Sequence, residues 1–378
     1  MRILVDYTSG IAQSAGIGRY TRNLVDALVA LDHDDQFTLF SADRPNNTRG
    51  FPVAANVRTA VAPLSNRRMT TLWHRLRFPL PIEALAGGAD VFHSPDFALP
   101  PVARARTVVT IHDLAFITHP ECAVPSLRQY MLRITPRAVR RADRIIAVSR
   151  CTADDLVRLM DVPREKITTI HLGVDPGLQR LSDEMTLAQV ATKYGLRRPF
   201  ALAVGTIEPR KNYERLIQAF AGVAGKADAP AQLVIVGRRG WLYQGVYEAL
   251  ERARLGVAAR LLEQVSDREL AALYSMAAVV VTPSMYEGFG IPAVEAMAYG
   301  IPVIVSDGGS LPEIVGDAGM VIPVADVQGL GNALVRVVSD EPLRRAMSEA
   351  SIQRARLFDW GAAARATLNV YRQAAGSS

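Results

Sequence analysis

The fifteen residues PSMYEGFGIPAVEAM, at positions 283–297, carry the strongest structural signal in this 378-residue chain. They follow an apolar run at 278–282 that predicts a buried strand, and Pro292 suits the first turn of a helix. Gly288 and Gly290 leave backbone N–H groups uncovered just before that helix, where the helix dipole favours anions and hydroxyl groups. The string therefore predicts a ligand-binding turn between a parallel strand and a helix.

Two carboxylates lie in this string, at Glu287 before the predicted helix and at Glu295 inside its first turn. A carboxylate accepts two hydrogen bonds from a vicinal diol, so this pair can hold two different sugar rings. A glycine-rich turn with a capping carboxylate is the purely structural alternative. The length of the string favours a functional interpretation.

Outward from this string, short apolar runs alternate with helical patterns, which is typical of parallel βα units. The predicted strands of the first half are 2–6, 36–40, 57–61, 90–93, 107–111, 144–148 and 166–170. The pattern restarts near Pro199, with strands at 200–204, 232–236, 260–262, 278–282, 302–305 and 320–322. Each half reads as a doubly wound α/β sheet, and we expect the two sheets to face a cleft.

The predicted domains are residues 1–180, completed by a C-terminal helix at 358–378, and residues 199–357. The intervening stretch from His171 to Pro199 is polar and reads as an irregular linker. Ligands of open α/β sheets bind beyond the carboxyl ends of the strands, so functional motifs should follow strand ends.

A second motif, Gly205 to Asn212, follows the strand 200–204. Its adjacent cations, Arg210 and Lys211, stand at a strand–helix junction suited to neutralising a diphosphate. A capped, solvated loop is the alternative.

Two motifs in the first half also follow strands. His112 ends the run VVTIH, where its ring can hydrogen-bond a sugar hydroxyl or the reacting centre, although a satisfied core histidine is the usual alternative. Gly16 and Gly18 open a helix after the first strand and permit close approach of a phosphate or acceptor. The dinucleotide fingerprint is incomplete, because Thr21 stands at its third glycine.

Together these motifs resemble the retaining GT-B enzymes of glycosyltransferase family 4, over nearly the whole chain. The spacing of Glu287 and Glu295 matches that family's E-x7-E motif. The resemblance implies that Glu287 and the Gly288-Phe289-Gly290 amides contact the donor sugar, and that Glu295 binds the nucleotide ribose. We assign Ser284 and Ile291, from the same string, to donor binding as well.

The same resemblance implies roles for the other motifs. Gly205, Arg210 and Lys211 would stabilise the leaving nucleoside diphosphate, although many members carry Arg where Thr206 stands here. His112 would lie beside the transferred sugar, and Gly16 and Gly18 near the donor phosphate and the acceptor. Val265 lies in the turn before a helix capped by Ser266 or Asp267, and is predicted to hold the base through its backbone.

The resemblance to bacterial mannosyltransferases predicts GDP-mannose as donor, with a UDP-sugar as the alternative. We expect no cofactor and no metal, because no Asp-x-Asp motif follows a strand and Arg210 and Lys211 can replace a cation. A nucleotide-sugar 2-epimerase or a phosphorylase on the same fold is a second hypothesis. A nucleic-acid-binding protein is a third, suggested only by charge, and no recognised binding motif supports it.

Charge and composition bear on partners and location. The chain has a net charge of +6, and residues 1–180 hold 23 Lys and Arg against 17 Asp and Glu. The two cysteines form no disulfide framework and no apolar run is long enough to span a membrane, so a cytoplasmic location is expected. As a helix, residues 66–78 would align Met69, Leu72, Trp73 and Leu76 on one face with arginines opposite. This stretch either contacts anionic membrane, consistent with a lipid-linked or other glycan acceptor, or packs into the core.

Overall fold

The computed structural model describes residues 1–13, 16–45, 50–175 and 177–376. The chain divides into two compact units. The first comprises 1–114, 126–173 and 359–378, and the second comprises 115–125 and 174–358. The C-terminal residues thus complete the N-terminal unit, and a short segment after the fifth strand clusters with the C-terminal one.

Unit 1 is built on a seven-stranded parallel sheet. Its strands are β1 Arg2–Asp6, β2 Gln36–Ser41, β3 Val57–Val61, β4 Val91–Ser94, β5 Arg106–Ile111, β6 Arg144–Ala147 and β7 Ile167–Thr169. Its helices are α1 Thr8–Ala12, α2 Ile17–Leu31, α3 Asn66–Thr70, α4 Glu83–Ala86, α6 Pro125–Arg141, α7 Arg150–Met160 and α16 Trp360–Ala375; α5, Ala115–Thr118, lies in unit 2. The strand order is β3-β2-β1-β4-β5-β6-β7.

Unit 2 repeats this plan with six strands. They are β8 Phe200–Val204, β9 Gln232–Val236, β10 Ala259–Leu262, β11 Val279–Thr282, β12 Val303–Ser306 and β13 Gly319–Ile322. Its further helices are α8 Glu184–Tyr194, α9 Tyr213–Ala221, α10 Gln244–Ala253, α11 Asp267–Met276, α12 Ile291–Ala298, α13 Leu311–Val315, α14 Val327–Ser339 and α15 Glu341–Ala355. The order is β10-β9-β8-β11-β12-β13.

The direction of winding reverses between β1 and β4 in unit 1 and between β8 and β11 in unit 2. Such topological switch points leave a crevice beyond the carboxyl ends of the two flanking strands, and ligands bind there. The strands at the centre of each sheet are apolar on both faces, because helices cover both sides of the sheet. The structure therefore confirms the predicted α/β class and all thirteen strands, with end points that differ by at most one residue.

The last helix joins unit 1 through a buried tyrosine. Asp359 caps the N-terminus of α16 by accepting a hydrogen bond from the Ala362 N–H at 2.7 Å. Tyr371 is fully buried, and its Oη lies 2.7 Å from Nδ1 of His93 on β4. This bond ties the C-terminal helix to the sheet formed by the first half of the sequence.

Two structural predictions made from the sequence were wrong. The stretch from His171 to Pro199 is not an irregular linker throughout, because it contains α8, capped by Asp183. Only Thr186, Leu187 and Val190 of this helix are buried, so its apolar pattern is too weak to be recognised against its polar surroundings. The second error concerns residues 66–78: the α-helix ends at Thr70 and a π-helical turn follows at Thr71–Arg75.

The change of helical geometry divides the predicted apolar face of that stretch. Met69 and Trp73 are buried in the core, with the Trp73 ring 6.0 Å from that of Phe40. Leu76 and Phe78 are instead 70% and 52% exposed. Within the described residues, the structure has no helix that is both long and apolar enough to cross a membrane.

Candidate functional site

The switch point of unit 2 holds a buried cluster of ions. The Glu287 carboxylate is 6% exposed and accepts hydrogen bonds from Arg210 Nη1 at 2.9 Å, from Lys211 Nζ at 2.6 Å and from Ser284 Oγ at 2.6 Å. Burial alone would raise the pKa of Glu287, but the Lys211 and Arg210 charges and these hydrogen bonds lower it to about 2. Glu287 is therefore ionised at any physiological pH, and it fixes both cations beyond β8 and β11.

A second carboxylate, Glu208, shares Arg210, which donates from Nη2 to Glu208 Oε1 at 2.7 Å. Glu208 is 2% exposed, and its Oε2 has no hydrogen-bond partner among the described residues. Burial raises the pKa of Glu208 although the two cations act in the opposite direction. Glu208 is not among the predicted site residues, because a single glutamate before Pro209 forms no recognisable motif.

The backbone around the cluster is held by two close approaches. Gly290 ends the turn with φ 94°, and a Cβ there would lie 2.6 Å from Leu311 Cδ2. Gly309, which follows β12 with φ 67°, packs so tightly that a Cβ would lie 2.3 Å from the Glu287 carbonyl oxygen. The Ser310 N–H donates to that oxygen at 2.9 Å. The Gly308-Gly309 pair was missed, but a double glycine one residue after a strand is a signal that could have found it.

The remaining predicted residues of this turn have distinct surroundings. Phe289 points into the core, with its ring 5.6 Å from that of Phe358, so only its backbone is available to a ligand. Glu295 is 4% exposed on α12, and its Oε2 accepts a hydrogen bond from Tyr274 Oη at 3.1 Å. Gly288 is buried between Glu287 and Phe289, and Ile291 is the half-buried first residue of α12.

Gly205 directly follows β8, and a Cβ there would lie 3.2 Å from Lys211 Cε. The structure thus brings five predicted residues together beyond the carboxyl ends of β8 and β11: Gly205, Arg210, Lys211, Ser284 and Glu287. Val265 is apart from them, half-buried in the loop after β10, two strands away from β8. Ser266 is the residue that caps α11, through a capping box with Glu269.

His112 follows β5, the strand next to β4, and so lies beside the switch point of unit 1. The His112 Nε2 lies 2.8 Å from the Pro95 carbonyl oxygen, an acceptor only, so Nε2 carries the proton and Nδ1 of the neutral ring is an acceptor. Tyr20 contacts the ring edge-on, with centroids 4.8 Å apart. Burial lowers the pKa of His112, while the Pro95 hydrogen bond and Asp96 act to raise it.

Behind His112 a chain of hydrogen bonds crosses the sheet. Tyr20 Oη lies 2.9 Å from Thr110 Oγ1, which lies 2.8 Å from Nε2 of His93. Burial lowers the pKa of His93 to about 3, so this second histidine is neutral. His93 is thus the satisfied core histidine of the pair, whereas His112 stands at the strand end.

The predicted glycines of unit 1 lie at the start of α2. Gly16 is the N-cap residue with φ 53°, and Gly18 packs so closely on the preceding loop that a Cβ would lie 2.2 Å from the Gln13 carbonyl oxygen. His112, Gly16 and Gly18 therefore all belong to unit 1, and the ion cluster belongs to unit 2.

These features define a two-unit α/β protein with a topological switch point in each unit. Comparison with known proteins agrees with this class. Residues 190–354 match the family described as Glycosyl transferases group 1, and residues 14–178 match Glycosyltransferase Family 4. The O-antigen chain mannosyltransferase B of Escherichia coli is 32% identical over 371 residues, which cover 94% of this chain and 96% of that protein. A D-inositol 3-phosphate glycosyltransferase of Nocardioides sp. is 30% identical over 255 residues, 63% of this chain and 55% of the relative.

Solved structures share the fold across the full length. Sucrose-phosphate synthase from Thermosynechococcus elongatus matches with a TM-score of 0.78 at 23% identity, covering 100% of both chains. Anabaena HepE in complex with UDP and glucose matches with a TM-score of 0.71 at 19% identity, covering 97% of this chain and 98% of that one. The chain belongs to glycosyltransferase family 4, has the GT-B fold and is a hexosyltransferase.

Proposed function

We propose that the chain transfers a mannosyl residue from GDP-mannose to a glycan or lipid-linked acceptor in polysaccharide synthesis, with retention of anomeric configuration. The observation that carries the proposal is the buried cluster of Arg210, Lys211 and Glu287 at the switch point of unit 2. It offers two fixed cations for a diphosphate and one ionised carboxylate for sugar hydroxyl groups. The mannosyltransferase name of the Escherichia coli relative supports mannose as the transferred sugar.

In the proposed reaction, the bond between the anomeric carbon and the donor phosphate oxygen breaks, and the acceptor hydroxyl oxygen bonds to the same carbon. The hydroxyl proton passes to the leaving phosphate. Because the leaving diphosphate gains charge as the bond breaks, Arg210 and Lys211 stabilise the transition state more than the ground state. His112 Nδ1 would accept a hydrogen bond from a hydroxyl of the transferred sugar. Arg210 and Lys211 would neutralise the charge of the diphosphate, as a metal ion does in other transferases, so no metal is required.

A UDP-sugar donor is the second candidate, favoured by the fold shared with Anabaena HepE, whose solved structure holds UDP and glucose. A thermal-shift panel of GDP-, UDP- and ADP-sugars separates the two, with the largest stabilisation expected for GDP-mannose. Product analysis with and without acceptor then separates transfer from epimerisation. A product that forms without acceptor and keeps its nucleotide would indicate a nucleotide-sugar 2-epimerase.

We also propose peripheral contact with anionic membrane, through the end of the predicted stretch 66–78 together with arginines of α6. Four arginines, Arg77, Arg133, Arg137 and Arg140, form an arginine patch: burial lowers the pKa of Arg137, and the charges of the other three lower it further. Leu76 and Phe78 are exposed beside Arg77 in the chain. Exposed apolar side chains next to clustered cations suit the headgroup region of an anionic bilayer. The cytoplasmic location stays a prediction.

A further inference from the structure

A buried tyrosine contacts the glutamate that is predicted to bind the nucleotide ribose. Tyr274 lies on α11, and its Oη donates a hydrogen bond to Oε2 of Glu295 on α12 at 3.1 Å. Tyr274 is 1% exposed and Glu295 is 4% exposed. A buried polar group that lacks a hydrogen bond is costly, so this contact favours one arrangement of both side chains.

The ring of Tyr274 is held independently of its hydroxyl group. It stacks on Tyr299, the C-cap residue of α12, with ring centroids 5.0 Å apart and an angle of 10° between the ring planes. A phenylalanine at position 274 would fill the same space and keep this aromatic pair. Packing therefore requires only the ring, and the hydroxyl group adds the hydrogen bond to Glu295.

Helix α11 also follows the loop that is predicted to hold the base. Val265 directly precedes Ser266, whose hydroxyl group accepts the Glu269 N–H in the capping box that starts this helix. Tyr274 lies on the same helix, about two turns further along. Helix α11 thus connects the two predicted contacts of a nucleoside, the base at Val265 and, through Tyr274, the ribose at Glu295.

Recognition of the two ribose hydroxyl groups depends on the orientation of the carboxyl group that accepts from them. A glutamate side chain has three rotatable bonds and loses conformational entropy when a ligand fixes it. The hydrogen bond from Tyr274 restricts this rotation at Oε2 before the ligand arrives. Such preorganisation reduces the entropy that is lost on binding and so increases affinity.

We propose that Tyr274 is a positioning residue that holds the Glu295 carboxyl group ready to accept the ribose hydroxyl groups, so that the site selects ribonucleoside diphosphates over analogues without those hydroxyls. This inference rests on the proposed function, in which Glu295 binds the ribose, and deepens it by naming a residue that determines nucleotide specificity. Tyr274 acts through Glu295, and its effect on binding requires that glutamate.

The test compares GDP with 2′,3′-dideoxy-GDP, which differ only in the two ribose hydroxyl groups, by calorimetry on the full chain. The wild type should bind GDP about tenfold more tightly or better, because the analogue loses two hydrogen bonds. In Tyr274→Phe the GDP affinity should fall about fivefold, whereas the affinity for the analogue should stay the same. The preference for GDP should therefore fall by the same factor.

Two further changes separate positioning from damage to the fold. Glu295→Gln should remove most of the preference for GDP, and adding Tyr274→Phe to it should change the preference no further, because Tyr274 acts through the residue already replaced. The matched control is Tyr213→Phe, at another buried tyrosine of unit 2, whose Oη donates to the Gly205 carbonyl oxygen at 3.2 Å. It should change both affinities by the same factor and leave the preference intact.

Three results would overturn the inference: a wild type without a preference for GDP, an unchanged preference in Tyr274→Phe, or an equal loss of both affinities in that variant. The last would mean that the hydroxyl group only stabilises the fold. If Tyr274→Phe does not fold, the double variant decides, since removing both partners of a buried hydrogen bond is better tolerated than removing one. A lower preference in the double variant than in Glu295→Gln would then contradict the inference.

Failure of this inference is distinguishable from failure of the proposed function. A wild type that binds GDP and transfers mannose, with an unchanged preference in Tyr274→Phe, removes the role of Tyr274 alone. A wild type that binds UDP but not GDP contradicts the GDP-mannose donor, and UDP with 2′,3′-dideoxy-UDP then tests Tyr274 in the same way. A wild type that binds no nucleoside diphosphate contradicts the proposed function itself.

Discussion

The two units have the same strand order, apart from one additional edge strand in unit 1, and they differ in chemistry at the same topological position. Beyond β8 and β11, unit 2 places Arg210 and Lys211 against buried carboxylates. Beyond β1 and β4, unit 1 places Asp6 and Asp96 in a cavity whose described walls contain no lysine or arginine. Since the sheets are alike, the difference lies in the loops after the strands. Unit 2 therefore presents cations together with carboxylates at its strand ends, whereas the described residues that line the cavity of unit 1 present two carboxylates.

Removing the central carboxylate of unit 2 should produce the largest effect. In Glu287→Gln we expect the transfer rate to fall by more than 100-fold, because the acceptor for sugar hydroxyls is weakened and Lys211 loses its counter-charge. The measurement is a steady-state transfer assay with the donor selected by the thermal-shift panel. Asp317→Asn, a change distant in sequence from the cluster but in the same unit, serves as control. A turnover in Glu287→Gln within a few-fold of wild type would remove Glu287 from the reaction.

The matching change in unit 1 is His112→Ala. Loss of a hydrogen bond at the reacting sugar should lower the transfer rate by about 100-fold, since small errors in positioning cost that much. GDP affinity should be unchanged, because the ion cluster lies in unit 2. Transfer assays measure the rate, and calorimetry on the same preparation measures the GDP affinity. If GDP affinity fell together with the rate, His112 would serve nucleotide binding and the contrast between the units would fail.

The ion cluster also predicts a pH dependence of stability. The folded pKa of Glu287 is about 2, below its ordinary value of 4.5. A depressed carboxylate pKa stabilises the folded state above the unfolded pKa, and this contribution is lost as the pH falls from 4.5 towards 2. Its size is on the order of 3 kcal/mol at neutral pH. Urea unfolding of wild type and Glu287→Gln should therefore differ most above pH 5 and converge only as the pH approaches 2; a constant difference would contradict the assigned ionisation.

The smallest expected effect concerns the arginine patch. Each basic residue near an anionic surface contributes about 1 kcal/mol, so Arg77→Gln should weaken binding to anionic vesicles about fivefold. Added salt should weaken it further. The 72% exposed Arg345 in unit 2 gives the matched control, Arg345→Gln. Sedimentation with phosphatidylserine-containing and pure phosphatidylcholine vesicles provides the measurement. Equal pelleting of wild type with both lipids would remove the membrane proposal.

The strands and the donor-side motifs could be predicted because their signals are local. A run such as Val279–Thr282 followed by two glycines and Pro292 determines a strand, a turn and a helix start within fifteen residues. The family resemblance then gives roles to Glu287 and Lys211. The division of each half into alternating strands and helices follows from the same short-range patterns.

What could not be predicted depends on contacts distant in sequence. Asp6 and Asp96 meet only because β1 and β4 are neighbours in the sheet, ninety residues apart in the chain. The pairing of Glu208 with Arg210 needs the 3₁₀ turn at Pro209–Lys211, which a sequence pattern does not reveal. The burial of Trp73 and the exposure of Leu76 depend on a π-helical turn, whereas the spacing of the apolar residues predicts a uniform α-helix.

The proposed function requires that unit 2 bind the diphosphate and that its two cations replace a metal ion. Calorimetric titration of GDP into wild type and Lys211→Met, in EDTA and then in Mg²⁺, tests both points in one experiment, with the exposed Lys226→Met as control. We expect wild-type affinity to be the same in EDTA and Mg²⁺, and Lys211→Met to bind roughly 10- to 150-fold more weakly, as expected for a charge-assisted hydrogen bond. Equal affinity of Lys211→Met and wild type, or loss of wild-type binding in EDTA, would contradict the account.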